Sequence, residues 1–161
     1  MKNLKKLNAG YNCGIDQAGI VGLDLVELDA WNNPKINNVS FMKNLKILNA
    51  GYNCGIDQAG IVGLDLIELN AYWNTKIKNV SFMKNLKKLN ARGDCGIDQA
   101  GIAGLDLVEL NAWNNLKINN VSFLKNLKKL NAKWDCGIDQ AGIDGLHLIE
   151  LNACGNPKIK N

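Results

Sequence analysis

The sequence predicts an α/β solenoid, with short parallel strands along one face and short helices and turns along the other. Three observations predict it: one segment recurs four times with a period of 41 residues, each copy contains two related halves, and each half opens with the alternation of a short strand. A single coil of this kind cannot bury its apolar side alone. Stacked coils share one continuous core.

The whole chain, residues 1–161, is predicted to be one solenoid domain. Its four repeats occupy residues 1–41, 42–82, 83–123 and 124–161. Each repeat contains an odd half, such as "LKKLNAGYNCGIDQAGIVGLD" from Leu4, and an even half, such as "LVELDAWNNPKINNVSFMKN" from Leu25. The halves begin 21 and 20 residues apart, so the repeating unit is one half of 20–21 residues.

Each odd half contains the patterns of a strand and of a short helix. Leu7 and Ala9 alternate with polar or small residues, which is the period-two signal of a strand with one buried face. Asp16 suits a helix N-cap, and Ile20 and Leu23 lie three residues apart in "DQAGIVGL". One parallel strand is therefore followed by a short helix that returns the chain.

The even halves carry a different return segment. Ile36, Val39 and Met42 recur at every third position, a spacing that suits 3₁₀ turns. Each coil of the solenoid is thus expected to consist of one strand and one return segment.

The opening pattern L-x-x-L-x-A-x-x-N occurs in six of the eight halves, and the other two have Asp at the last position. It resembles the signature of the leucine-rich-repeat (LRR) family, with alanine in the third apolar slot. The odd halves, "N-C-G-I-D-Q-A-G-I-x-G-L", are similar to the cysteine-containing and GALA-type subclasses, and the even halves to internalin-type repeats. The resemblance covers essentially the whole chain. It implies an arc with the parallel sheet on its concave face and the helices and 3₁₀ turns on its convex face.

The consensus asparagine position predicts a structural ladder. We expect these side chains to turn inward and to bond backbone groups of neighbouring coils. The ladder consists of Asn12, Asn33, Asn53, Asn74, Asp94, Asn115, Asp135 and Asn156.

The cysteines predict neither disulfides nor a metal site. Cys13, Cys54, Cys95 and Cys136 share one repeat position, so their side chains should lie about 10 Å apart in a line. That is too far for disulfides, and a linear array does not converge on a metal ion. These residues are expected to be small buried apolar groups, and no cofactor is expected. Cys154 lies outside the series, on the exposed edge of the sheet.

The differences between copies are concentrated directly after each strand, and every Tyr and Trp of the chain falls there. Tyr, Trp and Arg dominate binding hot spots, so these slots predict a partner-binding surface. The candidates are Tyr11, Trp31, Tyr52, Tyr72, Trp73, Arg92, Trp113 and Trp134. The alternative is that the aromatic residues pack on one another as a stabilising ladder.

Several function classes are disfavoured. A net charge of +4 with interspersed signs does not indicate a nucleic-acid-binding face. No apolar run approaches the roughly 18 residues of a membrane span. The single histidine, His147, has no nucleophile and orienting group in a predictable arrangement, so no catalytic site is expected. Unpaired cysteines without a signal peptide favour a cytoplasmic location.

We therefore expect a non-catalytic scaffold that binds a protein or peptide through the concave sheet and its aromatic edge. The alternative is a designed or truncated structural repeat protein without a natural ligand. Neither end of the sequence carries a polar cap, so end-to-end self-association is also expected.

Overall fold

The computed structural model describes residues 3–11 and 13–160, which form a parallel β-solenoid with few helices. Its eight strands pair in sequence order, each parallel to the next. They are β1 Lys6–Asn8, β2 Glu27–Asp29, β3 Ile47–Asn49, β4 Glu68–Asn70, β5 Lys88–Asn90, β6 Glu109–Asn111, β7 Lys129–Asn131 and β8 Glu150–Asn152. The predicted solenoid with one parallel sheet is confirmed. We number the coils 1 to 8 after their strands.

The strands pair at equivalent repeat positions because one buried leucine fixes their register. Leu28 pairs with Leu48, and Leu48 with Leu69, and all three side chains are buried. A slip of one residue would turn these leucines to water. The residues on either side of each leucine lie on the outer face of the sheet.

The return segments of the odd coils begin with a single helical turn. Helix α1 spans Gln17–Ile20, and the Asp16 side chain accepts a hydrogen bond from the Gly19 N–H at 3.0 Å. In coils 3, 5 and 7 the same segment is a 3₁₀ helix, at Ala59–Ile61, Ala100–Ile102 and Ala141–Ile143. The expected short helices are thus present, but three of them are 3₁₀ rather than α.

In the even coils the prediction of 3₁₀ turns is only partly right, because none of them contains a 3₁₀ helix within the described residues. Single turns occur instead, such as the one closed by the hydrogen bond from Met42 N to Val39 O at 2.9 Å. The neighbouring coil interrupts the helical pattern: Gln17 Oε1 accepts hydrogen bonds from the N–H groups of both Asn37 and Asn38 at 3.0 Å. These donors therefore bond to coil 1 instead of to their own turn.

The core runs unbroken along the solenoid, between the sheet and the return segments. Ile36, Val39 and Leu45 from one return segment are fully buried with the alanines that end the strands, such as Ala30 and Ala50. Small alanines let the return segments approach the sheet. Within the described residues, the helices are too short to cross a bilayer.

Candidate binding surface

The third residue after each strand has a left-handed backbone conformation. The φ angles are between 54° and 73° at Tyr11, Asn32, Tyr52, Trp73, Gly93, Asn114, Trp134 and Gly155. Glycine and asparagine adopt this conformation readily, whereas for other residues it costs about 1–2 kcal/mol. Four of the eight positions nevertheless carry a tyrosine or tryptophan.

The strand-end asparagines hold this turn in place. Asn70 Oδ1 accepts a hydrogen bond from Tyr72 N at 3.0 Å, and Asn111 Oδ1 accepts one from Trp113 N at 3.1 Å. In coil 2, Asp29 Oδ1 takes the same role toward Trp31 N at 2.9 Å. The side-chain oxygen is therefore used within the turn, and the amide NH₂ group of each asparagine is left for the outer face of the sheet.

The aromatic side chains of coils 1 to 4 form a continuous stack. The ring centroids of Tyr11 and Trp31 are 4.5 Å apart with an edge-on geometry. Trp31 stacks on Tyr52 at 5.7 Å, and Tyr52 stacks on Trp73 at 6.0 Å. Tyr72 lies beside Trp73 at 5.7 Å. Residues about 20 positions apart in the sequence thus become one surface.

Arginine and lysine extend the stack into coils 5 to 7. The guanidinium carbon of Arg92 lies 3.4 Å from the ring centroid of Trp113 and 4.8 Å from that of Tyr72. Lys133 Nζ lies 5.3 Å from the Trp113 ring, a second cation–π contact. Trp134 lies against Gly155, at the next coil. Lys133 is absent from the sequence-based candidates, although it occupies the same slot position as Arg92.

All eight candidate residues lie in this row, which we call the aromatic edge. Tyr11, Tyr52, Trp73 and Trp134 are exposed, with exposed fractions from 41% for Tyr52 to 77% for Tyr11. The other four, Trp31, Tyr72, Arg92 and Trp113, are half-buried. The edge is therefore packed within itself and also open to solvent.

An open groove of about 740 Å³ lies on the outer face of the sheet, beside the aromatic edge. It is lined by polar and apolar residues of β4 to β8 and by Ile149. The polar ones are Glu68, Asn70, Lys88, Asn90, Glu109, Asn111, Lys129, Asn131, Glu150 and Asn152, and the apolar ones are Leu69, Leu89, Leu110, Leu130, Ile149 and Leu151. Lys129 Nζ lies 2.8 Å from Glu150, and this hydrogen-bonded contact raises the pKa of Lys129. Acidic and basic groups alternate along the groove, so its charge is nearly balanced.

A smaller hollow of about 350 Å³ lies on the edge itself. Tyr52, Asn53, Trp73, Thr75 and Lys76 line it. Two aromatic rings, those of Tyr52 and Trp73, therefore face one solvent-filled hollow.

The even-half members of the predicted ladder, Asn33, Asn74, Asn115 and Asn156, are buried. Asn74 Nδ2 donates to Ala50 O at 2.8 Å and to Ile56 O at 3.0 Å, both in the preceding odd coil. Its Oδ1 accepts from Lys76 N at 2.9 Å. Each such asparagine links two coils.

The odd-half members do not turn inward, so this part of the ladder prediction is wrong. Asn53, Asp94 and Asp135 are exposed, and Asp94 forms an ion pair with Lys117 at 2.8 Å. Asn12 lies outside the described residues. The even-coil asparagines already bond the inner carbonyl groups of the odd coils. The cysteine one residue further on occupies the space beside them: Cys95 Sγ lies 3.6 Å from Asn115 Nδ2 and 3.4 Å from Ala91 O.

The cysteines Cys54, Cys95 and Cys136 fill that space and are buried, whereas Cys154 is exposed. Burial raises the pKa of Cys54 and of Cys95 to about 11. In the described part of the chain, no group of three or more His, Cys, Asp or Glu side chains could hold a metal ion.

No protein-family model matches this chain, and neither a curated protein nor a solved structure matches it.

Proposed function

We propose that this chain is a non-catalytic, LRR-type scaffold that recognises a protein or peptide through the outer face of its sheet and the aromatic edge. One observation carries the proposal: Tyr11, Tyr52, Trp73 and Trp134 occupy left-handed backbone positions and remain exposed.

The turn itself does not require an aromatic residue. Asn32, Asn114 and Gly93 form the same turn in other coils. Glycine has no Cβ to clash, and asparagine tolerates the left-handed conformation better than an aromatic residue. An aromatic residue there is unfavourable by about 1–2 kcal/mol, and a contact with a partner is one way to offset that. Tyr11, the most exposed of these residues, has the most surface to gain from such a contact.

The geometry of the stack favours a protein or peptide over a sugar or a nucleobase. The faces of Trp31, Tyr52 and Trp73 are largely occupied by one another, with centroid distances of 5.7 and 6.0 Å. Nucleobases bind by stacking on free ring faces. Ring edges, phenol hydroxyls and indole N–H groups remain available, a combination typical of protein-binding hot spots.

The adjacent groove adds hydrogen-bond donors. Because the oxygen of each strand-end asparagine is used in its own turn, the amide NH₂ groups of Asn90, Asn111 and Asn131 form a row of donors. Neighbouring strands space them about 4.8 Å apart. Such a row suits the carbonyl groups of a peptide whose apolar side chains contact the aromatic edge.

The alternative is a structural repeat protein without a ligand, designed or truncated. The same ring contacts support it, because each aromatic pair contributes about 0.5–1.5 kcal/mol to the stability of the fold. The two proposals predict different results when one ring is removed. The first expects a loss of affinity for a partner, and the second expects a loss of stability alone.

The test uses a random linear-peptide library displayed on phage, selected against the immobilised chain. Peptides that bind are then measured against Trp73→Asn, which keeps a residue suited to the left-handed turn. The proposal expects affinity to fall about tenfold or more, as for a hot-spot residue. The free energy of unfolding should change by only about 1 kcal/mol, since lost stacking and relieved strain oppose each other.

Phe82→Asn is the matched control, because Phe82 is 40% exposed on a return segment and Trp73 is 49% exposed on the edge. Binding should be unchanged in this variant. If no peptide is enriched, or if Trp73→Asn destabilises the fold while affinity is retained, the ligand-free structural alternative replaces the proposal.

A further inference from the structure

A row of exposed apolar side chains runs along the edge of the solenoid opposite the aromatic edge. The aromatic edge follows the strands, whereas this row precedes them, four residues before the leucine that opens the next coil. Val62 is 56% exposed, Phe82 is 40% exposed and Phe123 is 38% exposed. The row, which we call the apolar stripe, consists of Val21, Phe41, Val62, Phe82, Ala103 and Phe123.

Contacts on both sides keep neighbouring members of the stripe side by side. Between coils 2 and 3, Val39 N donates to Gly60 O at 3.0 Å, two residues before the stripe. Two residues after it, Lys43 Nζ lies over Gly63, 3.3 Å from where a Cβ on that glycine would stand. The stripe residues of these two coils lie between the two contacts and are therefore neighbours. The same contacts recur between coils 4 and 5 and between coils 6 and 7.

The exposure of the stripe comes from its position in each coil and not from an end face of the solenoid. Phe41, Val62 and Phe82 belong to inner coils, each with a neighbouring coil on both sides. Four residues after two of them, Leu45 and Leu86 are fully buried. Single exposed apolar residues need no explanation, but a contiguous exposed row marks a contact with a protein or a membrane.

Lysines without an acidic partner flank the stripe, two residues after each phenylalanine. They are exposed, and within the described residues they form no ion pair. An aspartate of the same edge is bonded to other neighbours: Asp106 accepts from Lys87 Nζ at 2.7 Å and from Asn126 Nδ2 at 2.8 Å. The unpaired lysines occur in every second coil, about 10 Å apart. They are Lys43, Lys84 and Lys125.

This edge therefore holds an excess of positive charge beside its apolar row. The third repeat places two lysines on it, Lys84 and Lys87, against one aspartate, Asp106. The second repeat has the same composition there, and in the fourth His147 replaces the aspartate. A partner that matches this edge combines apolar groups with negative charge.

From the stripe and its lysines we propose that this edge docks on an anionic lipid surface. The apolar side chains enter the boundary between headgroups and acyl chains, and the lysines contact the anionic headgroups. The apolar stem of Lys84 lies along the stripe while its ammonium group reaches the headgroups. Docking of this kind requires a surface and not a spanning segment. The aromatic edge, on the other side of the sheet, stays free to bind a peptide.

A lipid surface matches this edge better than a second copy of the chain does. In a contact between two stripes, the lysine rows of both copies would face each other and repel. The stripe also lines neither of the two hollows described above. A fluid lipid surface accommodates a row of side chains without a matching cleft.

The first test is co-sedimentation of the chain with lipid vesicles. One set contains equal amounts of phosphatidylcholine and phosphatidylserine, and the other contains phosphatidylcholine alone. We expect binding to the mixed vesicles that weakens as the salt concentration rises, and much weaker binding to the neutral ones. No binding to the mixed vesicles, or equal binding to both sets, overturns the proposal.

The second test removes two of the unpaired lysines, as Lys43→Gln/Lys84→Gln. Affinity for the mixed vesicles should fall about tenfold or more. The matched control is Lys35→Gln/Lys78→Gln, which removes two exposed lysines from the same two coils, away from the stripe. Its affinity should stay within about threefold of the wild type. Equal losses in the two variants would reveal a general attraction of the charged chain and would overturn the proposed edge.

The third test separates this edge from the aromatic edge. Phe82→Asn should weaken binding to the mixed vesicles about threefold or more, whereas Trp73→Asn should bind them as the wild type does. The reverse result overturns the proposal, as does a wild type that ignores the mixed vesicles and forms a dimer that Phe82→Asn dissociates. Urea denaturation checks that each variant is folded. Peptide binding is measured separately, so a failure here leaves the proposed function untouched.

Discussion

Asn74 joins two coils from a buried position. Its amide donates to Ala50 O and Ile56 O, and its oxygen accepts from Lys76 N. We predict that Asn74→Ala lowers the free energy of unfolding by about 2–4 kcal/mol, because it leaves these buried groups without partners. Urea denaturation measures the loss.

Asn53→Ala is the control for this prediction. Asn53 precedes the buried Cys54 in an odd coil and is exposed. Its replacement should change stability by no more than about 0.5 kcal/mol. Similar losses in the two variants would contradict the different roles that we assign to these asparagines.

The buried thiols make stability depend on alkaline pH. The pKa values of Cys54 and Cys95 are raised from 9.0 to about 11, mainly because burial disfavours the thiolate. The unfolded chain therefore loses these protons first as the pH rises. Between pH 9 and 11 we expect the free energy of unfolding to fall by on the order of 2 kcal/mol for each thiol.

A Cys54→Ala/Cys95→Ala variant separates the effect of the buried thiols on stability from that of the lysines, because the variant and the wild type contain the same lysines. Its stability should fall less steeply over the same pH range, as measured by urea denaturation at each pH. Parallel curves for the two chains would show that the thiols do not cause the decline.

At the scale of elements, contacts between coils decide where a methyl group is tolerated. Gly60 lies against the Asn37 carbonyl, so Gly60→Ala forces the two coils apart and should destabilise the fold by about 1–3 kcal/mol. Gly19→Ala, at the same repeat position in coil 1, should be neutral or stabilise by up to about 1 kcal/mol. Thermal and urea unfolding of the two variants provide the comparison. Equal destabilisation would contradict the packing.

The strands and the return helices differ in how well the sequence predicts them. The alternation around Leu7 depends on one buried face, a local property, and it gives the strands correctly. The even-coil turns depend instead on Gln17, a residue of another coil, which binds the N–H groups of Asn37 and Asn38. Periodicity within one segment contains no information about such a partner.

The same distinction applies to the candidate surface. Equivalent repeat positions form rows, so the sequence predicts which aromatic residues lie in one line. It does not predict that Tyr52 and Trp73 have left-handed conformations, because that depends on the turn closed by the strand-end asparagine. The sequence also predicts that Asp94 turns inward, whereas the structure has it exposed. The carbonyl groups of Ala91 and Ile97 inside the same coil are already bonded by Asn115 of the next coil.

In the molecule as a whole, the stacking of the coils brings residues about 20 positions apart into contact. The aromatic edge reports this most directly, because Trp31 contacts Tyr52, and Tyr52 contacts Trp73. We predict nuclear Overhauser effects between the ring protons of each pair in solution, measured on a chain with selectively labelled aromatic residues. Ring protons of Trp31 and Tyr52 that show no such effect in the folded chain would contradict the stacked solenoid and the binding surface built on it.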